Sequence, residues 1–338
     1  MKAALFEGPR RLIVTDRPMR RVHPDEVLLR VKACGICGTD VHIVEGNSRS
    51  TPPVVLGHEF CGTVEDIGEN VTTVSPGEFV AVDPNISCHQ CAYCSRGLVH
   101  LCEHLKAYGV DLDGGMAERC VVRASHVHRL PKGMTMEQGV FVEPVSCCVH
   151  GIDRAHTQAG DTVVLLGGGT IGLLMLQLVR NAGAARTVVV EPVERKRLLA
   201  RELGADVLLD PAMDNVRDAV ADLTGIGADV VIECAGKTVT AHQAIELARR
   251  GGSVMMFGVC PIGQTIAVSP NDVYFQELNI VGSYINPFTF TRAISLLEQG
   301  TIRIDEFHLE RFPLERISDA LATLRRGETI KSLILPGG

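Results

Sequence analysis

The cysteine residues of one short segment have the spacing of a metal site. Within SCHQCAYCSRGLVHLC they follow the pattern C-x2-C-x2-C-x7-C, formed by Cys88, Cys91, Cys94 and Cys102. Four thiolates on a tight loop can close a tetrahedral shell around zinc, and such a closed shell is structural. An iron–sulfur cluster is the alternative, but its common C-x2-C-x2-C-x3-C run has a different spacing. Three nearby histidines are alternative ligands: His89, His100 and His104. We predict a structural zinc ion in this lobe, residues 85–104.

A second set of candidate metal ligands is dispersed along the chain. Cys37 lies in GICGTD, His58 and Glu59 lie in LGHEF, and Glu143 lies in FVEPVS. Each alone has an ordinary structural explanation, such as a buried thiol, a hydrogen-bonded core histidine or an acid at a helix start. Together they supply a thiolate, an imidazole and carboxylates, and mixed sets that leave room for water are typical of catalytic zinc. We therefore predict a catalytic zinc ion here.

Two residues that can exchange protons follow the first of these ligands. Thr39 and His42 lie two and five positions beyond Cys37. At that distance along the chain, a hydroxyl and an imidazole could carry a proton away from a catalytic metal site.

A glycine-rich turn interrupts the apolar stretch 162–179, TVVLLGGGTIGLLMLQLV. Its G-x-G-x-x-G motif consists of Gly167, Gly169 and Gly172, with Thr170 and Ile171 between the last two glycines. Such glycines let backbone N–H groups approach a pyrophosphate at a helix N-terminus. Glu191 ends the next apolar strand, where an acid can accept hydrogen bonds from both hydroxyls of a ribose. The pattern predicts NAD binding.

Composition and charge limit the class of protein. A chain of 338 residues is expected to form two domains. A net charge of -7 without a basic patch argues against nucleic acid as a partner. The uncharged residues between Asp161 and Arg180 are numerous enough for a membrane span, but glycines interrupt them. No targeting segment is evident, so we expect a cytoplasmic protein whose cysteines serve metal and thiol chemistry.

The hydrophobic pattern changes along the chain and predicts two kinds of domain. Up to about residue 145, short β-rich runs alternate with turns, which is typical of a mainly β domain. From residue 160 strands and helices alternate, which predicts a doubly wound parallel sheet. The predicted strands are 27–32, 62–67, 79–82, 119–122, 163–166, 187–190, 207–209, 229–232, 253–257 and 279–281. The predicted helices are 170–183, 193–203, 213–223, 238–250 and 289–299; the fourth ends at Arg249-Arg250-Gly251-Gly252, whose cations and glycines suit a helix C-terminus.

In this order, several motifs resemble the zinc-dependent medium-chain alcohol dehydrogenase superfamily. They are GICGTDVH, GHE, the four-cysteine lobe, EPVSCCVHG, LLGGGTIG, IECAG and GGSVMMFG. The resemblance covers essentially the whole chain and is closest to the polyol branch, which includes sorbitol dehydrogenase, because Glu143 stands where the alcohol branch has a cysteine. It implies an α/β fold in which a GroES-like catalytic domain (1–146 and 286–338) flanks a Rossmann NAD-binding domain (147–285), with the active site between them.

The resemblance also implies roles for the dispersed ligands. Cys37 and His58 would bind the catalytic zinc. Glu59 would be a ligand or an exchangeable partner, and Glu143 would bind directly or through water.

Further roles concern the substrate and the cofactor. Thr39 would take the alcohol proton and His42 would relay it by way of the cofactor ribose, while Lys196 would lie beside the adenosine ribose. Sorbitol dehydrogenases carry an arginine and an aromatic residue beside the substrate, where this chain reads Ser283-Tyr284-Ile285-Asn286. We expect Tyr284 and Asn286 to contact the substrate instead; packing, or capping of the following helix, is the alternative.

These observations predict a zinc- and NAD-dependent enzyme that interconverts a secondary alcohol and a ketone, with a polyol or sugar alcohol as substrate. Threonine 3-dehydrogenase and 2,3-butanediol dehydrogenase share most of the motifs and are alternatives. A regulatory NAD-sensing protein that lost catalysis is an alternative of another class. By resemblance, we expect a homotetramer or homodimer.

Overall fold

The computed structural model describes residues 1–337. Its strands are β1 (Lys2–Gly8), β2 (Arg11–Asp16), β3 (Glu26–Gly35), β4 (Val54–Val55), β5 (Glu59–Ile67), β6 (Phe79–Val82), β7 (Asn85–Ile86), β8 (Lys106–Ala107), β9 (Arg119–Arg123), β10 (Val127–Arg129), β11 (Thr162–Leu166), β12 (Arg186–Val190), β13 (Val207–Leu209), β14 (Ala228–Glu233), β15 (Ala248–Met256), β16 (Asn279–Gly282), β17 (Leu309–Pro313) and β18 (Lys331–Leu335). Its helices are α1 (Gly38–Glu45), α2 (Met136–Ala155), α3 (Thr170–Asn181), α4 (Glu194–Glu202), α5 (Val216–Thr224), α6 (Thr238–Leu247), α7 (Pro270–Gln276), α8 (Phe290–Glu298) and α9 (Ile317–Arg325).

The chain forms two compact units. The first consists of Met1–Val145, Phe290–Glu298 and the residues from Phe307 onward. The second consists of Ser146–Thr289 and Gln299–Glu306. The predicted domain bounds stay a prediction.

The second unit is built on a six-stranded parallel sheet. Its strand order is β13-β12-β11-β14-β15-β16, so the strand order reverses between β11 and β14. The strands at the centre are continuous apolar runs buried on both faces, as a parallel sheet covered by helices requires. This confirms the predicted doubly wound fold.

The first unit is mainly β, as predicted. Its largest sheet has the order β10-β6-β5-β3-β18-β17, and β9 also pairs with β3. All of its pairings are antiparallel except that of β17 with β18. A smaller sheet, β2-β1-β4, contributes Ala3, Ala4 and Phe6 to the same buried core. The late strand β18 lies next to the early strand β3, which matters for the site described below.

One predicted helix boundary is wrong. The helix expected over 238–250 ends at Leu247, and Arg249-Arg250-Gly251-Gly252 belongs to β15 instead. Ala248 pairs with Ala228 in the sheet, and the guanidinium of Arg249 lies 2.6 Å from the carboxylate of Asp229. These tertiary contacts override a local pattern that resembles a helix C-terminus.

Among residues 1–337, no helix is long and apolar enough to cross a membrane.

Candidate active site and nucleotide-binding turn

The four cysteines of the lobe come together as one group. The sulfur atoms of Cys88, Cys91, Cys94 and Cys102 all lie within 4.8 Å of one another. Two short 3-10 helices, Cys94–Arg96 and Val99–Leu101, fold the segment so that its last cysteine returns to the first three. Sγ of Cys102 accepts hydrogen bonds of 3.3 Å from the backbone amides of Cys88 and His104.

The acidity of these thiols fits a cation at their centre. Backbone N–H groups, chiefly those of Cys94 and Glu103, lower the pKa of Cys91 to about 6. Burial and hydrogen bonds with the neighbouring thiols raise the pKa of Cys94 to about 11. Four clustered thiols cannot all ionise against one another, whereas zinc binds all four as thiolates. The donor set therefore fits a closed zinc site.

A second group of potential ligands forms where β3 ends and β5 begins. Ligand atoms of Cys37, His58 and Glu59 all lie within 4.8 Å of one another. The antiparallel register pairs Gly35 with Glu59, which brings the end of β3 beside the start of β5. Cys37 is the N-cap of α1, so its thiol lies at the N-terminal end of that helix.

Asp40 supports both of the non-carboxylate ligands and was missed in the sequence. It is fully buried, and its Oδ2 accepts a hydrogen bond of 2.8 Å from the backbone amide of Cys37. Its Oδ1 lies 3.6 Å from Nδ1 of His58, and neither of these two atoms has a hydrogen-bond partner among residues 1–337. Burial opposes the charged imidazole, but Asp40 raises the pKa of His58 well above its ordinary value. A carboxylate behind a ligand histidine orients the ring and increases its basicity. The signal in the sequence was Asp40 three residues after Cys37, a helix-capping position.

Glu59 has a buried cation beside it that the sequence analysis also missed. Nζ of Lys331 forms an ion pair with Oε2 of Glu59, and both side chains are buried. Burial lowers the pKa of an ammonium group, but the charge of Glu59, followed by those of Cys37 and Glu143, leaves the pKa of Lys331 above its ordinary value. Lys331 is therefore a buried positive charge in this group.

The remaining predicted catalytic residues lie on α1 and α2. Glu143 is buried on α2 and close enough to influence Lys331, but among the described residues it is not one of the group of three. Oγ1 of Thr39 lies 3.6 Å from Sγ of Cys37. His42 is three residues further along α1 and therefore neighbours Thr39 on the helix surface. Its Nδ1 is buried and has no hydrogen-bond partner within the described part of the chain.

The glycine turn of the second unit has the predicted strand–turn–helix context. Gly167 follows β11 with a φ of 111°, and Gly169 is the N-cap of α3, with Thr170 and Ile171 in the first turn. A Cβ on Gly172 would clash with the carbonyl oxygen of Gly167, so this glycine lets α3 approach the strand closely.

The acid that follows β12 is held against this turn. Oε2 of Glu191 accepts a hydrogen bond from the amide of Gly168, and Oε1 accepts one of 2.9 Å from the amide of Val193. Arg197 donates to the carbonyl of Glu191 at 2.6 Å and lies 2.9 Å from Asp210. Lys196 lies in the first turn of α4.

The segment expected to contact substrate makes a different contact at one position. Asn286 is buried, and its Nδ2 donates a hydrogen bond of 2.9 Å to Oγ of Ser146, while Oγ1 of Thr289 donates to the carbonyl of Ser146. Asn286 thus holds the segment before α8 against α2. Tyr284 is exposed.

The fold and these sites are those of a zinc-dependent medium-chain dehydrogenase. The family model described as the alcohol dehydrogenase GroES-like domain matches residues 23–132, and the one described as zinc-binding dehydrogenase matches residues 170–299. The chain belongs to this family of zinc-binding dehydrogenases and is an oxidoreductase. A regulatory protein without catalysis is therefore set aside.

Individual relatives match over nearly the whole chain. D-arabinitol dehydrogenase 1 of Uromyces fabae is 35% identical, over 99% of this chain and 97% of its own length. L-threonine 3-dehydrogenase of Bacillus licheniformis is 34% identical, over 94% of each chain. The crystal structure of a zinc-binding dehydrogenase from Sinorhizobium meliloti bound to NADP has 42% identity and a TM-score of 0.96, and the match covers 99% of each chain.

Proposed function

We propose that this enzyme oxidises a secondary alcohol group of a polyol or sugar alcohol to the ketone, reversibly, with NAD as the hydride acceptor. The observation that carries the proposal is the group of Cys37, His58 and Glu59, in which the last two are buried and whose ligand atoms lie within 4.8 Å of one another. A thiolate, an imidazole and a carboxylate form an open, mixed ligand set, which suits catalytic rather than structural zinc.

The residues present fit both cofactors. Cys37 and His58 would hold the catalytic zinc, and the unpartnered Nδ1 of His58 facing Asp40 is the arrangement expected behind a metal ligand. Bound zinc supplies a Lewis acid that lowers the pKa of the alcohol, and bound NAD supplies the hydride acceptor. The four-cysteine lobe would hold a second, structural zinc.

Thr39 and His42 would move the proton that the alcohol loses. The hydroxyl of Thr39 lies beside the thiol of Cys37. There it can accept a hydrogen bond from the hydroxyl group of a substrate that lies next to Cys37. His42, on the same helix surface, can take up the proton through its buried ring nitrogen.

NAD is proposed over NADP because of Glu191. The two backbone hydrogen bonds fix its carboxylate at the glycine turn, where each oxygen keeps a lone pair for a ribose hydroxyl. A 2′-phosphate would bring a second negative charge close to this carboxylate.

The proposed substrate class rests on the carboxylates at and around the group of Cys37, His58 and Glu59. Glu143 is a buried carboxylate close enough to Lys331 to influence its pKa, and a carboxylate accepts hydrogen bonds from hydroxyl groups. A polyol carries several hydroxyl groups, and each buried hydroxyl needs a hydrogen-bond acceptor, so a carboxylate here favours a polyol over an apolar alcohol. The arabinitol dehydrogenase among the relatives supports a polyol, whereas the threonine dehydrogenase supports threonine as the second candidate.

We also propose that the enzyme is a homodimer or homotetramer. Strand β16 is an edge strand of the parallel sheet. Large exposed side chains cluster in the sequence around it: Val259, Ile262, Val268, Tyr274, Phe275, Ile280, Tyr284 and Phe288. An open edge with apolar side chains nearby is typical of a surface that another chain covers.

The substrate proposal is tested by a turnover panel with NAD. The panel contains four- to six-carbon polyols, 2,3-butanediol, threonine, and simple primary and secondary alcohols, with Cys37→Ser as the inactive control. We expect the highest kcat/KM for a polyol, and a loss of about ten- to hundredfold for each hydroxyl contact removed. Highest activity on threonine or on a primary monoalcohol would contradict the polyol assignment.

A further inference from the structure

We propose that Glu233 is a positioning residue for the nicotinamide half of the cofactor, because it holds together the two loops that follow β14 and β15. This inference rests on the proposed function, since it takes the carboxyl edge of the parallel sheet as the NAD site. In a doubly wound sheet a dinucleotide lies across the point where the strand order reverses, here between β11 and β14. Glu191, after β12, would take the adenosine half, so the nicotinamide half would lie on the side of β14 and β15.

Glu233 is a buried acid at the end of β14, and one of its oxygens accepts three hydrogen bonds. The residue is 1% exposed. Its Oε1 accepts bonds of 2.8 and 2.9 Å from the amides of Ala235 and Gly236, and one of 2.6 Å from Oγ1 of Thr240 in the first turn of α6. A buried carboxylate is costly unless such donors surround it. The loop after β14 is therefore held in the conformation that supplies them.

The same residue also fixes the loop after β15. Its backbone carbonyl accepts hydrogen bonds of 3.1 and 2.8 Å from the amides of Phe257 and Gly258. A Cβ on Gly258 would lie 2.5 Å from Oε2 of Glu233 and closer still to the amide nitrogen of Gly236, so glycine permits the close approach of the two loops. Side chain and backbone of one residue thus join two neighbouring loops.

The two loops are accessible, whereas the acid beneath them is not. Ala235 is exposed and Gly258 is partly exposed, but Glu233 is buried. Ligands of such sheets bind in the crevice outside the carboxyl ends of the strands, where loops of this kind lie. Glu233 would therefore act on the cofactor through the backbone that it positions.

The glycine turn proposed for the pyrophosphate has supports of its own. The amide of Gly167 donates a hydrogen bond of 2.9 Å to the carbonyl of Val190, and the amide of Gly168 donates to Glu191. These bonds connect the turn to β12 and do not involve Glu233. A change at Glu233 should therefore disturb binding of the nicotinamide ring and spare the rest of the dinucleotide.

The experiment is isothermal titration calorimetry of the full-length, zinc-loaded enzyme with NAD and with ADP-ribose, which lacks only the nicotinamide ring. Glu233→Gln keeps the shape of the side chain but removes the charge that strengthens its hydrogen bonds. It should raise the Kd of NAD about tenfold and leave that of ADP-ribose unchanged. Glu246→Gln makes the same substitution at an exposed acid of α6 and should change neither Kd.

NADH separates positioning from a direct effect of charge, because its reduced ring is neutral. Glu233→Gln should weaken NADH by the same factor as NAD. Weakening of NAD alone would show that the charge of the acid acts on the ring itself, and would overturn the inference. Unchanged binding of NAD, or equal weakening of NAD and ADP-ribose, would overturn it as well.

A second variant decides if Glu233→Gln does not fold. Thr240→Val removes one of the three donors to Oε1 and should raise the Kd of NAD by about two- to tenfold, again without an effect on ADP-ribose. Unchanged binding of NAD in Thr240→Val would then contradict the positioning role.

Failure of the proposed cofactor site would look different. Glu191→Gln should weaken NAD and ADP-ribose alike, because both contain the adenosine ribose. If the unmodified enzyme bound neither ligand, or if Glu191→Gln changed neither Kd, the nucleotide site itself would be wrong and the role of Glu233 would fall with it.

Discussion

Oε2 of Glu191 accepts a hydrogen bond of 2.7 Å from the backbone amide of Gly168. The two residues are 23 positions apart, and the bond ties the end of β12 to the turn after β11. A Cβ on Gly168 would lie 3.0 Å from Cγ of Glu191, so glycine at this position permits the close approach. The carboxylate that we propose for the ribose is therefore held directly against the glycine turn that we propose for the phosphates.

The first prediction concerns cofactor choice. The unmodified enzyme should have a higher kcat/KM for NAD than for NADP, because the fixed carboxylate accepts two hydroxyls and repels a phosphate. Glu191→Ser should lower kcat/KM for NAD by about tenfold or more, since each hydrogen bond to a charged group contributes about 1.5–3 kcal/mol. Steady-state kinetics with both nucleotides measures this, and Glu194→Ser, an exposed acid of the next helix, is the control. A preference for NADP in the unmodified enzyme would mean that the basic residues of α4 outweigh Glu191.

The second prediction separates the two zinc ions. Cys94→Ser should lower the melting temperature, because metal binding at a closed site contributes directly to the folding free energy. Cys37→Ser should abolish turnover while leaving the melting temperature nearer that of the unmodified enzyme. Metal analysis of the fully active enzyme should give two zinc ions per chain, and one ion or fewer would rule out this division of roles.

The third prediction isolates the charge behind His58. Asp40→Asn keeps an oxygen that can accept from the amide of Cys37 but removes the negative charge 3.6 Å from the imidazole. We expect zinc affinity or kcat to fall about 10- to 100-fold, as for other partners of metal ligands, with the circular dichroism spectrum unchanged. Competition with a chelator measures the affinity, and Asp16→Asn on the exposed end of β2 is the matched control. Equal affinity in both variants would show that Asp40 only caps the helix.

The fourth prediction concerns assembly. Sedimentation of the unmodified enzyme should give a dimer or tetramer, and Ile280→Arg on the edge strand should shift it to a smaller species. Met213→Asp changes a more exposed apolar side chain elsewhere in the second unit and should leave the assembly unchanged. A monomer at working concentrations would contradict the proposed oligomer.

The sequence predicted those parts of the site that depend on local spacing. The cysteine lobe and the glycine turn each lie within a short segment, so their patterns carry the geometry with them. Cys37 and His58 come together through the register of β3 with β5, which no local pattern encodes. Their residue types predicted a shared metal, and the resemblance to a family assigned both as ligands. The amide of Asn286 donates a hydrogen bond to Ser146, a partner 140 residues earlier in the sequence that no local pattern predicts, and its contact with the substrate stays a prediction.

Lys331 illustrates the limit of such predictions. Lys331 precedes the segment SLIL, and nothing in this local sequence distinguishes it from an ordinary lysine. Its contact depends on Glu59, which lies 272 residues earlier. The local sequence at Arg249-Arg250 was misleading for the same reason, since the pairing of Ala248 with Ala228 determines the strand. Contacts between residues that are distant in the sequence determine both the partner of Lys331 and the start of β15.

The position of β18 between β3 and β17 also sets an order of events during synthesis. Domains fold from the N-terminus while the chain emerges from the ribosome, but this sheet cannot close until residues 331–335 have been made. Until then the end of β3 is an open edge, and the nascent chain has a carboxylate at Glu59 without its ammonium partner. The group of Cys37, His58 and Glu59 is therefore complete only after the entire second unit has been translated. A stalled or truncated chain would have no partial activity, and it would expose an unpaired strand edge to which chaperones can bind.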